Sequence, residues 1–191
     1  PLPIGYELTG SVTAVGADAV GGSGPVSVGD EVVAFRIYGG YAQALTFAAA
    51  DAFVLPVTAP SDQAAGLLLA GCTAAELVER SGARPGETVL LHGASGAVGA
   101  MVLQLAALAG IRVVGTAGAE RQEAVRRFGG IPVEYGPGLL ARVRAAAPDG
   151  VVAALDAAGT AEAVETSLSL VADRSRIITV AAAPAAREYG F

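Results

Sequence analysis

Lysine, asparagine and tryptophan are absent from this sequence, and it holds one cysteine, Cys72, and one histidine, His92. All 12 basic residues are arginine. Without lysine there is no P-loop lysine, no Schiff base to pyridoxal phosphate and no Ser-Lys or Tyr-Lys catalytic pair. One Cys and one His fall short of the four N or S ligands of a structural zinc and the usual three of a catalytic one, so no metal site is expected. A single Cys also excludes a disulfide framework, which favours a reducing compartment. Charged residues make up only 16% of the chain, and 18 acidic side chains against 12 basic ones leave a formal net charge of -6. Scattered arginines in an acidic chain form no basic stripe, so nucleic acid is not an expected partner.

The opening Pro1-Leu2-Pro3-Ile4 carries neither a basic n-region nor an apolar h-region, so no signal peptide is visible and a cytoplasmic location is expected. The uncharged stretch from Gly93 to Ile111 mimics a membrane span. Glycines crowd its front and Gln104 interrupts it, so it reads as a glycine turn entering a buried helix, with no membrane association.

With 191 residues, 53% of them hydrophobic, and 26 glycines, the chain has the material for a heavily buried globular core. Two kinds of text meet near Pro85. Residues 1–84 read as short strands broken by glycine turns (Glu7 to Val15, Glu31 to Phe35, Tyr41 to Phe47, Ala52 to Val54), followed by two bridging helices, Asp62 to Leu69 and Thr73 to Arg80. Cys72 is expected as a small apolar group in that bridge, and Tyr6, Tyr38 and Tyr41 read first as packing residues. From Thr88 the rhythm is strand, helix, strand: strands at Thr88 to His92, Arg112 to Thr116, Pro132 to Tyr135, Val151 to Asp156 and Arg176 to Val180, and helices at Ala97 to Ala109, Glu120 to Phe128, Leu139 to Ala146 and Ala161 to Leu170. Such alternation predicts an α/β fold, a doubly wound parallel sheet covered by helices on both faces, over residues 85–191. In the first helix Val98, Met101, Val102, Leu105 and Leu108 fall at three- and four-residue steps as one apolar stripe, with Gly110 placed for a left-handed cap.

The strand Thr88 to His92 runs straight into Gly93-Ala94-Ser95-Gly96-Ala97-Val98-Gly99 and then a helix. Missing side chains there let the backbone approach a pyrophosphate, whose charge meets free N–H groups and the positive end of the helix. The position of the run, after a strand and opening a βαβ unit, points to dinucleotide binding by Ser95, Gly96, Ala97 and Val98. The next strand ends Gly115-Thr116-Ala117-Gly118, with Thr116 expected at the nucleotide and without the acid that NAD binders use on the ribose 2′-hydroxyl; Arg121 follows, either as a bidentate partner for a 2′-phosphate or as one of several solvated helix charges with Glu120, Arg126 and Arg127. NADP is therefore favoured over NAD. Ala97 breaks the Gly-x-Ser-x-Gly pattern, so Ser95 is not read as a nucleophile, and His92 reads as a buried structural residue.

These residues together resemble the medium-chain dehydrogenase/reductase superfamily, in its zinc-independent quinone oxidoreductase (zeta-crystallin-like) branch. Gly5-Tyr6-Glu7-Leu8-Thr9-Gly10 resembles the Gly-His-Glu-x-x-Gly segment of the catalytic domain, with Tyr6 where zinc-dependent relatives have a ligand His. Gly29-Asp30-Glu31-Val32 and Gly39-Gly40-Tyr41-Ala42 resemble its next two strands. Residues 86–96 with Gly99 and Gln104 resemble the quinone oxidoreductase signature, with Ala97 and Ala107 as departures, and Leu155-Asp156-Ala157-Ala158-Gly159 resembles the segment near nicotinamide. The resemblance implies that residues 1–84 are part of a β-rich GroES-like barrel and that 85–191 form a Rossmann domain binding NADP(H). It places Gly118, Arg121 and Tyr135 at the 2′-phosphate, with Gly118 where relatives have Ser. It sets Thr73, Ala157, Ala158, Gly159, Val180, Ala181 and Ala182 around the nicotinamide. It also implies a homodimer, and a chain resembling the middle of a longer protein.

The function expected on this footing is zinc-independent, NADPH-dependent hydride transfer to a quinone, enone or related conjugated carbonyl. Tyr6 and Tyr41 are the candidate proton donors. The alternative is a non-catalytic, crystallin-like NADPH-binding protein.

Overall fold

The computed structural model describes residues 4–191. The chain divides into two compact units, 1–72 and 73–191.

In the first unit, β1 (Glu7–Ser11) pairs with one edge of β4 (Glu31–Phe35), whose other edge takes β5 (Ala52–Val54). Both pairings are antiparallel, with Glu7 opposite Phe35 and Val33 opposite Phe53. As the central strand, β4 buries Val32, Val33 and Ala34 consecutively. A small hairpin of β2 (Val20–Gly21) and β3 (Gly24–Pro25) precedes it, unmarked by any hydrophobic run in the sequence. The expected strand at Tyr41 to Phe47 does not form. Beyond the bonds from Gly40 N–H and Tyr41 N–H to the carbonyls of Gly5 and Ile4, it finds no strand edge to pair with, and most of it is exposed. The strand expected to reach Val15 stops at Ser11, four residues after its start, where the partner strand β4 begins at Glu31.

Two helices follow, α1 (Ser61–Ala64) and α2 (Leu67–Arg80), so the break falls at Ala65-Gly66 and not before Thr73. The division between the units lies inside α2, earlier than the 84/85 boundary expected from the change of rhythm. The cause is packing: Ala74 and Leu77, on the second half of α2, belong to the core of the second unit. Cys72 is exposed, not an apolar packing group.

The second unit runs β6 (Thr88–His92), α3 (Ala97–Leu108), β7 (Arg112–Ala117), α4 (Gln122–Arg127), β8 (Ile131–Glu134), α5 (Leu139–Ala146), β9 (Ala153–Asp156), α6 (Ala161–Leu170), β10 (Ile177–Thr179) and α7 (Ala183–Tyr189). Its five parallel strands lie in the order β10-β9-β6-β7-β8, so the winding reverses between β6 and β9. All five residues of β6 are buried, as a parallel strand covered on both faces requires. Alternation divides them: Val89 and Leu91 face a core shared with Val102, Leu103 and Val125 of α3 and α4, while Leu90 faces one shared with Val143 of α5 and Val171 after α6. The helix α7 was not anticipated, although Pro184 in its first turn and a left-handed Gly190 after it are start and stop signals.

The buried face of α3 also differs from the expected stripe. It is centred on Gly99, Val102, Leu103 and Ala106, with Val98, Met101 and Leu105 on its flank and Leu108 87% exposed. At roughly 100° per residue Leu108 stands half a turn from Gly99. The centre is set by backbone contact: a Cβ on Gly99 would come within 2.7 Å of both Cα and carbonyl C of Ala94. Replacing Gly99 by Ala is expected to cost about 2 kcal/mol or more in urea unfolding. Gly96→Ala, where a Cβ meets nothing nearer than the Gly93 carbonyl oxygen at 3.4 Å, should cost about 1 kcal/mol or less.

Candidate nucleotide-binding site

The winding reversal leaves a crevice at the carboxyl ends of β6 and β9, the place where open α/β sheets take ligands. The turn after β6 enters it. Gly93 N–H donates to the Thr116 hydroxyl oxygen (3.2 Å) and Ala94 N–H to the Thr116 carbonyl (3.0 Å), which pins the turn to the end of β7. Gly96 caps α3 in extended conformation with no side-chain cap, and the first N–H to bond back to it is that of Ala100. The N–H groups of Ala97, Val98 and Gly99 therefore have no acceptor among the described residues, and they stand at the positive end of the helix.

Beside the turn lies a cavity of about 230 Å³ lined by His92, Gly93, Ser95, Thr116, Ala117, Tyr135, Leu139, Ala158, Thr160, Glu162 and Ala163. A larger groove of about 390 Å³ near Val143, Gly150 and Leu170 lies at the amino ends of the strands, away from the crevice. Of the residues expected to bind a nucleotide, Ser95, Thr116, Tyr135 and Ala158 line the cavity. Gly96, Ala97 and Val98 form the open mouth of α3. Thr73, on α2, and residues 180–182 do not line the cavity; Ala181 meets Gly159 instead. The rest of its lining, Gly93, Ala117, Ala163 and the larger side chains of His92, Leu139, Thr160 and Glu162, was not among the expected nucleotide contacts. For Thr160 a signal was present, since a Thr before an Ala-Glu-Ala helix start is an N-cap, and its hydroxyl oxygen accepts from Ala163 N–H at 3.2 Å.

Tyr135 is held in place by its loop. Glu162 accepts from Gly136 N–H at 2.9 Å, and the Arg142 guanidinium donates to the carbonyls of Glu134, Gly136 and Pro137. Arg121 is exposed, and its side chain makes no hydrogen bond or ion pair among the described residues. The strand end after Thr116 is less free of acid than the sequence implied: the Glu120 carboxylate folds back over Gly118, with an oxygen 2.8 Å from where a Cβ would stand. In the first unit Tyr6 packs edge-on against Phe35 and Tyr38 at 5.5 and 5.8 Å, while Tyr41 is 81% exposed.

His92 is buried, as expected. Ser167 spends its proton on the Ala163 carbonyl (2.8 Å), so the His92 Nε2–H donates to the Ser167 oxygen (3.2 Å), which fixes the tautomer. Burial pushes its pKa down from 6.5 to about 4, against the opposing pull of Asp156 and Glu162.

Residues 97–190 match the zinc-binding dehydrogenase family. The rat (Rattus norvegicus) quinone oxidoreductase is 38% identical over 122 residues, 63% of this chain and 36% of the relative. The mouse (Mus musculus) synaptic vesicle membrane protein VAT-1 homolog is 35% identical over 140 residues, 71% of this chain and 34% of the relative. The solved Escherichia coli quinone oxidoreductase, a complex with NADPH, superposes with a TM-score of 0.80 at 27% identity, over 90% of this chain and 53% of that one. In sequence and fold the chain is similar to members of the medium-chain dehydrogenase/reductase superfamily. It spans about a third of the length of these curated relatives and about half of the solved chain. Among the described residues no group of three or more His, Cys, Asp or Glu side chains is placed to hold a metal ion. No helix among them is long and apolar enough to cross a membrane.

The only histidine gives a direct check on the crevice. The unfolded chain takes up a proton near pH 6.5 while the folded one resists until about 4, so stability falls as pH drops through that window. Urea unfolding of the chain should show a loss of about 2 kcal/mol between pH 7 and pH 5, absent in His92→Gln.

Proposed function

We propose that this chain carries the NADPH site of a zinc-independent oxidoreductase that reduces a quinone, an enone or a related conjugated carbonyl. The observation that carries the reading is the glycine turn, with three N–H groups lacking acceptors at a helix start, opening beside a cavity at the carboxyl ends of the strands. Solved relatives in complex with NADPH support it.

The residues present fit such a ligand. The N–H groups of Ala97, Val98 and Gly99 take the pyrophosphate, and Thr116 holds the turn that presents them. Arg121 pairs with the 2′-phosphate beside Gly118, and Tyr135 donates its hydroxyl to the same group. Glu120 opposes them: its carboxylate repels a 2′-phosphate and suits a 2′-hydroxyl, so cofactor preference is set by the balance of two adjacent residues of opposite charge. Residues 157–159, 180–182 and Thr73 border the nicotinamide. The bound dinucleotide supplies a hydride to the electron-poor carbon of the substrate. Hydrogen bonds from the chain polarise the carbonyl, and Tyr6 or Tyr41 supplies the proton. The reading includes a homodimer and a cytoplasmic location.

Calorimetric titration of the chain with NADPH and NADH tests it. Arg121→Ala should lower the NADPH to NADH affinity ratio about tenfold and Glu120→Gln should raise it severalfold. A ratio unchanged by Arg121→Ala removes that residue from the site. NADPH oxidation with a panel of quinones and enones then separates an enzyme from a non-catalytic NADPH-binding protein.

A further inference from the structure

The loops after β9 and β10 are fastened to each other by two side chains that the proposed binding scheme does not use. Asp156, the last residue of β9, is buried. Its Oδ1 accepts from Ala158 N–H (2.9 Å) and Gly159 N–H (2.8 Å). Its Oδ2 accepts from the hydroxyl of Thr179, the last residue of β10, at 2.8 Å. The same hydroxyl oxygen accepts from Ala181 N–H (3.1 Å) and Ala182 N–H (2.8 Å). Four loop N–H groups, two on each loop, thus have as acceptors only these two side chains among the described residues.

The loops also touch. Gly159 has φ +71, and a Cβ there would come within 2.6 Å of the Ala181 carbonyl oxygen, so only glycine allows the approach. Neighbouring strand bonds hold the base: Val180 N–H donates to the Asp156 carbonyl and Ala157 N–H to that of His92. A shift of one loop therefore breaks bonds belonging to the other.

We infer that Asp156 and Thr179 form a latch that positions residues 157–159 and 180–182 as one surface for the nicotinamide half of the dinucleotide. Neither is a catalytic residue, since both act through the loop backbone they hold. The inference rests on the NADPH reading above and specifies which residues make the nicotinamide side of the site rigid. A preformed surface binds without paying to order two loops, and that saving is lost when the shared hydroxyl goes.

The test separates the two halves of the ligand. NADPH and adenosine 2′,5′-bisphosphate, which lacks nicotinamide, are each titrated by calorimetry into the chain and into Thr179→Val and Thr179→Ser. Thr179→Val should weaken NADPH about tenfold and the bisphosphate less than about twofold, while Thr179→Ser, which keeps the hydroxyl, should bind both within about threefold of the unaltered chain. Retained bisphosphate binding also reports that the variant is folded, and Thr179→Ala replaces Thr179→Val if that variant does not fold. Equal loss of both ligands, or a Ser variant as weak as the Val one, overturns the latch while leaving the nucleotide site standing. An unaltered chain that binds neither ligand overturns the NADPH reading and the latch with it.

Discussion

At the start of α3 the second unit packs backbone against backbone. At Gly99 the helix α3 lies against Gly93 and Ala94 so tightly that a single methyl group has no room. That contact fixes how near α3 comes to the end of β6, and so where its unpaired N–H groups stand. The same approach rotates α3, burying Val102, Leu103 and Ala106 in the core and leaving Leu108 to solvent. The open start of α3 and the hydrophobic core are therefore consequences of one steric constraint. A fold that relaxed it would lose both.

Around the turn the second unit uses polar side chains mostly to hold backbone. Thr116 pins the turn, Arg142 and Glu162 hold the loop of Tyr135, and Asp156 with Thr179 joins two further loops. Buried polar groups are costly unless bonded, and here the bonding is shared between neighbouring strand ends. The backbone around the crevice is thereby tied together by hydrogen bonds between neighbouring loops. Charge enters at its edge, where Glu120 and Arg121, adjacent residues of opposite sign, follow Gly118.

Much of this was legible in the amino-acid sequence, and unevenly so. The parallel sheet was readable because short apolar runs such as β6 and β9 alternate with helix-length segments; α5 and α6 have the bounds expected from the sequence. The glycine turn was readable because its spacing has a steric cause. Tertiary effects were not. The stretch at 41–47 follows a glycine turn as a strand would, yet strand formation needs an edge, and the sequence does not reveal whether one is free. The face of α3 depends on a contact made by an absent side chain, so a hydrophobic stripe misplaced it. Glu120 reads in the sequence as a solvated helix charge because the acid is sought at the end of β7, whereas its side chain reaches back from the following turn to Gly118. Packing also divides the units inside α2, where the change of rhythm gave no sign of it.

The central claim is that the N–H groups at the start of α3 receive the ligand. Amide NMR of the nitrogen-labelled chain, titrated with NADPH, observes those groups directly. The account predicts that the largest shifts fall on Ala97, Val98 and Gly99, with Tyr135 and Ala158 following at the same ligand concentration. Saturable shifts confined to other parts of the chain, with these amides unmoved, would contradict it.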